Sequence, residues 1–156
     1  RNAHEHVTKP LPMDLRGYIA SGLGRAHVFM AQPHYQNQFK KVLNAGAWPG
    51  TLNLDLEGES LEFYKNLRII AGLDEGKINL GPEPLRIHGF ERDGKSFGGA
   101  TAFRGEISIN GKSWITCAIL IPDLTRHTKI AEIISGSFLR EILPCSDGDE
   151  VQIRLS

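Results

Sequence analysis

The sequence predicts a mainly β fold, a single small barrel with helices inserted between its strands, rather than a doubly wound parallel sheet. Many short apolar runs bounded by Gly, Pro, Asn and Asp carry that expectation, together with only two segments that have the apolar period of a substantial helix. Length agrees. A chain of 156 residues, 40% hydrophobic, can bury about 68–70% of its unfolded surface, enough for one core without disulfide or structural metal.

Residues 1–12 contain Pro10 and Pro12 and few large apolar groups, so they read as an irregular tail, and the domain is expected over 13–156. His4 and His6 sit in that tail with HxH spacing but no Cys or carboxylate cluster, and are set aside as solvated side chains. From Leu15 the pattern is extended through Tyr18 and Ala20. The small-residue break Ser21-Gly22-Leu23-Gly24 follows, then a second apolar run over 28–31, so strand, loop and strand are expected. After Pro33, Tyr35, Phe39, Val42 and Leu43 recur at helical spacing opposite Gln36, Asn37, Lys40 and Lys41, an amphipathic helix. A break at 46–50 precedes strict alternation over 51–56, with Leu52, Leu54 and Leu56 on one face and Thr51, Asn53 and Asp55 on the other.

Ser60 reads as the N-cap of a second helix carrying Leu61, Tyr64, Leu67 and Ile70 inward, with Gly72 as its stop. Residues 73–84, rich in Gly, Asp, Glu and Pro, read as a surface excursion. The chain is then strand-rich, with 85–88, a turn at Asp93-Gly94, and runs around Ala102-Phe103 and over 106–109. Asn110-Gly111 signals a hairpin into the apolar run 114–121. A short helix over 138–143, the turn Asp147-Gly148-Asp149 and a closing strand over 150–155 complete the pattern.

Composition narrows the function classes. Eighteen basic and 18 acidic residues cancel, which argues against a duplex nucleic-acid binder, since such proteins carry a basic excess for the phosphates. The longest apolar stretch, 114–122, falls well short of the ~18–20 residues needed to cross a bilayer. Cys117 and Cys145 form no CxxC pattern, which fits a reducing, cytoplasmic setting. Because the chain begins at Arg1, a longer parent protein is envisaged.

Three constellations could carry chemistry. Glycines at 22 and 24 would let backbone N–H groups face an anion, although glycine pairs also mark ordinary turns; the segment is neither a P-loop nor a Rossmann fingerprint. Thr51 and Asn53, delivered by the turn Pro49-Gly50, offer two hard oxygens to one side of a strand, either for Mg²⁺ beside a nucleotide or merely for hydrogen bonding. The segment Thr125-Arg126-His127-Thr128-Lys129, leading to Glu132, is polar and cationic, and His127 is either a base or phosphate contact or simply exposed.

In this order the three regions resemble the archaeal CTP-dependent riboflavin kinase family. The matching pieces are Ser21-Gly22-Leu23-Gly24, Pro33-His34-Tyr35 with Gln38-Phe39, and Trp48-Pro49-Gly50-Thr51-Leu52-Asn53-Leu54. Ile87-His88-Gly89-Phe90 with Phe97-Gly98 comes next, then Thr125 with Glu132-Ile133-Ile134, Leu139-Arg140-Glu141 and Asp147-Gly148-Asp149. The resemblance covers Gly17 to Ser156. It implies a six-stranded cradle-loop-type β-barrel and transfer of the γ-phosphate of CTP to the 5′-hydroxyl of riboflavin, giving FMN. Its implied nucleotide contacts are Gly22, Leu23, Gly24, Arg25, Ala26 and His27, with Ser137, Phe138, Leu139 and Arg140. Thr51 and Asn53 match Mg²⁺ ligands, and Thr125 and Glu132 match flavin contacts, Glu132 orienting or partly deprotonating the hydroxyl. Riboflavin and CTP are the implied partners, without nucleic acid or membrane, and a monomer is expected. Trp48, Tyr35 and Phe90 are offered by residue type alone for the isoalloxazine slot, with a core role equally open.

The sequence departs from the family at Gly24-Arg25-Ala26-His27, where Gly-Glu-Gly-Arg is usual, and at Leu124-Thr125-Arg126, where the guanidinium has moved by one residue or its role has gone. The link over 73–84 is also longer than usual, as a lid or as surface decoration. The altered loop motivates an alternative, a non-catalytic flavin or nucleotide sensor of the same fold. A DNA-binding barrel is a third reading, disfavoured by the neutral charge.

Overall fold

The computed structural model describes residues 13–22 and 26–156; the predicted tail with His4 and His6, the loop residues Leu23, Gly24 and Arg25, and the side chain of His27 lie outside that description. Along the described chain run β1 (Asp14–Ala20), α1 (Ala26–Met30), α2 (Pro33–Leu43), β2 (Leu52–Asp55), α3 (Gly58–Ile70), β3 (Leu85–Ile87), β4 (Phe90–Arg92) and β5 (Lys95–Phe97). They continue with β6 (Ala100–Ser108), β7 (Ile115–Pro122), β8 (Ile130–Ile134), α4 (Leu139–Ile142) and β9 (Glu150–Leu155).

Strands β6, β7, β8, β2, β1 and β9 pair in that order and β9 returns to β6, closing a six-stranded barrel in which every pairing is antiparallel. The predicted mainly β barrel with inserted helices is therefore what forms. Strand β3 continues the same edge of β6 beyond the closure, and β4 and β5 make a separate hairpin turned by Asp93-Gly94.

Period-two patterning explains the interior. Leu15, Ile19, Leu52, Leu54, Phe103, Ile107, Ile119 and Ile153 meet inside the barrel, where Tyr64 and Leu67 of α3 and Leu139 and Leu143 join them. The outer face of β6 and β7 carries the small Ala100, Ala102 and Ala118, on which α2 seats Phe39, Val42 and Leu43. Strand β7 is thus covered on both faces, which is why its sequence is a continuous apolar run. Arg104 of β6 fastens the helix by donating to the carbonyls of Val42 (2.7 Å) and Lys41 (2.9 Å), groups that the C-terminus of α2 leaves without intrahelical partners.

At Gly105 one edge of β6 passes from β3 to β9, and the strands approach closely. A Cβ there would lie 2.5 Å from the carbonyl oxygen of Arg154. Gly105→Ala is expected to cost about 1–3 kcal/mol, as overpacking does elsewhere. Urea unfolding measures it; an unchanged midpoint would mean the closure tolerates the methyl group.

Three local expectations differ from the structure. Residues 28–31, expected as a strand, fall in and just after helix α1, because both edges of β1 are already taken, by β2 and β9. Helix α3 starts at Gly58 after Glu57, and Ser60 is not its cap: the Ser60 hydroxyl accepts the Arg16 N–H (2.8 Å), tying helix to barrel. Strand β8 occupies residues read only as following a polar segment. Gly72 does stop α3, with φ +83° and the N–H groups of Gly72 and Leu73 bonded to Ile69 and Arg68. Residues 73–84 form a mostly exposed excursion without helix or strand.

Candidate functional site

Between the barrel rim, helices α1 and α2 and the β4–β5 hairpin lies a cleft of about 980 Å³. Alternation along β2 builds its floor: Leu52 and Leu54 go inward, so Thr51 and Asn53 face out into the cleft. Asn53 stands opposite Ala20 on β1 and Glu132 on β8, so three neighbouring strands converge there. The Thr51 hydroxyl lies 3.1 Å from Asn53 Oδ1 and is also hydrogen-bonded to Glu132. Gly22 packs so tightly on this group that a Cβ would collide with Asn53 Nδ2. Burial pushes the Glu132 carboxyl above the ordinary range, and the nearby charge of His127 and the Thr51 hydrogen bond only partly counter it.

One end of the cleft is polar and cationic. Arg140 donates to Asp147 Oδ1 (2.7 Å) and to the carbonyl of Ala20 (3.3 Å), while the Ser21 hydroxyl bonds the other oxygen of Asp147. These contacts hold the Asp147 carboxyl below its usual range. Leu139 is buried in the barrel core and fixes the segment, leaving Ser137, Phe138 and Arg140 along the cleft wall.

The opposite character is supplied by aromatic rings. Trp48 stacks on Phe138 with centroids 5.1 Å apart, and both rings remain more than 40% exposed. Tyr35 donates its hydroxyl to the Gly98 carbonyl (2.5 Å), and Phe97 stacks on Phe90 at 4.7 Å. His34 packs on Phe90 at 4.4 Å, so the hairpin is held to α2 by rings rather than by sheet pairing. Of the three aromatics named from sequence, Trp48 and Tyr35 line the cleft and Phe90 supports it from behind.

The structure therefore brings together Gly22, Ala26, Thr51, Asn53, Glu132, Ser137, Phe138, Leu139 and Arg140. Thr125 does not line the cleft; its neighbours Leu124 and His127 do, and its hydroxyl oxygen accepts the His127 N–H (3.2 Å). Phe29, Phe97 and Leu124 also line the cleft, although the sequence reading gave none of them a site role. Gln36 was placed on a solvent face, yet it is half-buried and exchanges two hydrogen bonds with the backbone of Ala47 (3.0 Å each) and one with the Met30 carbonyl (2.8 Å), fixing the approach to Thr51. A glutamine at one position of a helix gives no signal that separates such a fastener from a solvated side chain.

Among the described residues no group of three or more His, Cys, Asp and Glu is arranged to hold a metal ion. Thr51 and Asn53 are instead neutral oxygen donors beside one carboxylate, a set that suits Mg²⁺, which keeps several waters and shares substrate phosphates. No helix among these residues is long and apolar enough to cross a membrane.

Comparison with known proteins matches residues 19–155 to the family model CTP-dep_RFKase, described as a domain of unknown function, DUF120. The chain is 35% identical over 143 residues to a riboflavin kinase of Thermofilum pendens, covering 90% of this chain and 58% of that protein. It is 32% identical over 140 residues to a riboflavin kinase of Methanocorpusculum labreanum, with 89% and 55% covered. Against a riboflavin kinase of Thermoplasma acidophilum it is 29% identical over 141 residues, with 90% and 56% covered. The chain thus spans between 55% and 58% of the length of these relatives.

Proposed function

This chain belongs to the CTP-dependent riboflavin kinase family, and from that premise we propose that its cleft transfers the γ-phosphate of CTP to the 5′-hydroxyl of riboflavin, giving FMN and CDP. The convergence of Thr51, Asn53 and Glu132 on one patch, in a cleft lined also by Arg140 and by aromatic rings, carries the reading. Phosphoryl transfer asks little covalent chemistry of a protein; it needs donor and acceptor in line and the phosphate charge neutralised.

The residues divide accordingly. Arg140 and the backbone from Gly22 to His27 hold the nucleotide, with Ser137, Phe138 and Leu139 closing its pocket. Thr51 and Asn53 would hold Mg²⁺, whose charge would offset the negative charge of the phosphate oxygens. Tyr35 and Phe97 offer a wall for a flat ring, and Thr125, which does not line the cleft, would act on the flavin through its neighbours Leu124 and His127. Glu132 accepts the hydrogen bond of the 5′-hydroxyl and takes its proton as the new oxygen–phosphorus bond forms and the bond to the CDP oxygen breaks.

Incubating the chain with riboflavin, Mg²⁺ and, separately, CTP, ATP, GTP or UTP tests the reading, with riboflavin and FMN separated by chromatography. FMN is expected mainly with CTP. Another preferred donor would place specificity in the altered Arg25-Ala26 loop. Flavin binding without FMN from any donor would replace the kinase with the sensor reading.

A further inference from the structure

Arg68 of α3 is a cation only 8% exposed, far from any catalytic role assigned above, and such a burial is tolerated only when its charge is paired. Its Nε and Nη2 donate to the two carboxylate oxygens of Asp74 (2.8 and 3.2 Å), the second residue of the 73–84 excursion. Its remaining Nη1 donates to the backbone carbonyl of His127 (3.2 Å). One guanidinium therefore joins α3, the excursion and the loop between β7 and β8.

That loop is fastened at both ends. Arg86 grips Asp123, and the Asp123 N–H bonds Gly99 (3.0 Å); at the far end the Lys129 carbonyl accepts the Leu56 N–H (2.9 Å). Between them, residues 124–128 make internal hydrogen bonds, to Pro122 and from His127 to Thr125. Among the described residues, the Arg68 contact is the hydrogen bond that reaches this stretch from another element. The stretch places Leu124 and His127 on the cleft wall, near Glu132. Leu124 is 86% exposed, an apolar surface suited to a flat ring and not to a triphosphate.

We propose that Arg68, oriented by Asp74, is a positioning residue that holds the 124–128 loop in place for the phosphoryl acceptor, so that the segment after α3 governs grip on the flavin and not on the nucleotide. The identity of the acceptor rests on the kinase reading; the clamp itself does not. Arginine suits the task because its planar fork satisfies a carboxylate with two N–H groups and leaves another for a carbonyl, a division that a single ammonium group reproduces poorly.

Two measurements on the intact chain separate the parts. Amide hydrogen exchange over 124–128 should speed up about tenfold in Arg68→Met, the scale of one lost charge-assisted hydrogen bond, while β6 and β7 stay protected. Asp74→Asn should move it in the same direction by less, and at its half-exposed site it carries the test if the first variant does not fold. In FMN formation, Arg68→Met should raise KM for riboflavin about tenfold and leave KM for CTP near wild type. Unchanged exchange in both variants would overturn the clamp; faster exchange with both KM values rising together would overturn its assignment to the acceptor. If the wild-type chain forms no FMN, the kinase reading fails by itself, exchange still decides the clamp, and riboflavin fluorescence titration of wild type and variant decides the acceptor side.

Discussion

Thr51→Ala combined with Asn53→Ala is expected to lower FMN formation by about 10²–10³-fold, the scale of losing charge neutralisation at a transferring phosphoryl group, with an unfolding midpoint close to wild type. The inward residues of β2 are Leu52 and Leu54, which the double variant leaves in place. Truncating both partners of the 3.1 Å contact between Thr51 and Asn53 also avoids leaving one without the other, the costlier outcome for a hydrogen bond in a half-buried site. Single variants should be less cleanly separable, since each strands its partner. Chromatographic assay beside thermal unfolding decides; retained turnover in a folded double variant would remove these oxygens from the reaction.

Glu132→Gln should do two opposite things. Turnover is expected to fall by about 10²–10⁴-fold, the range over which a positioned acid or base acts, and stability at neutral pH is expected to rise. The sign follows from the raised carboxyl. In the unfolded chain Glu132 titrates near its ordinary 4.5, and in the folded protein burial moves it higher. Below pH 4.5 both states hold the proton and wild type suffers no penalty; as pH climbs through the folded value, burying the charge costs stability. Glutamine never pays that cost. Melting temperatures of wild type and variant should therefore coincide near pH 4 and diverge above it, the variant higher. Divergence in the other direction would mean that His127 and Thr51 together overcompensate the desolvation. A carboxyl raised by burial at the convergence of three strands is the pattern expected of a functional group.

Much of this was legible in the sequence because alternation and helical period report burial directly. The leucines of 52–56, Phe39 with Val42 and Leu43, and the Asn110-Gly111 hairpin all read correctly, since each depends on neighbours a few residues away. Thr51 and Asn53 could be singled out because a polar face on an otherwise apolar strand is visible as a pattern. The helix at 26–30 was not, because what forbids a strand there is the occupation of both edges of β1 by residues far along the chain. The same holds for Gln36 and Arg68: each looks like a helix-surface residue in sequence, and only the tertiary partners, Ala47 and Met30 for one, Asp74 and His127 for the other, reveal a fastener. Phe97 and Leu124 entered the cleft for a similar reason, since a hairpin held by rings and a loop held by a guanidinium leave no periodic trace.

The closure of the barrel by β9 also sets the order in which a nascent chain can acquire its shape. Strand β9 sits between β1 and β6, pairing Asp14 with Arg154 and Ile107 with Ile153, so the strand that comes last in the barrel's chain order is the one that seals the sheet. Until it arrives, the facing edges of β1 and β6 are open, and an open edge is a template for pairing with another chain. The separation of β1 and β9 along the sequence also makes their joining a non-local event, of the kind that slows folding. A barrel still waiting for β9 is therefore a sticky one, and the docking of this strand, rather than formation of the cleft-floor strands, is the step that makes the sheet safe from its neighbours.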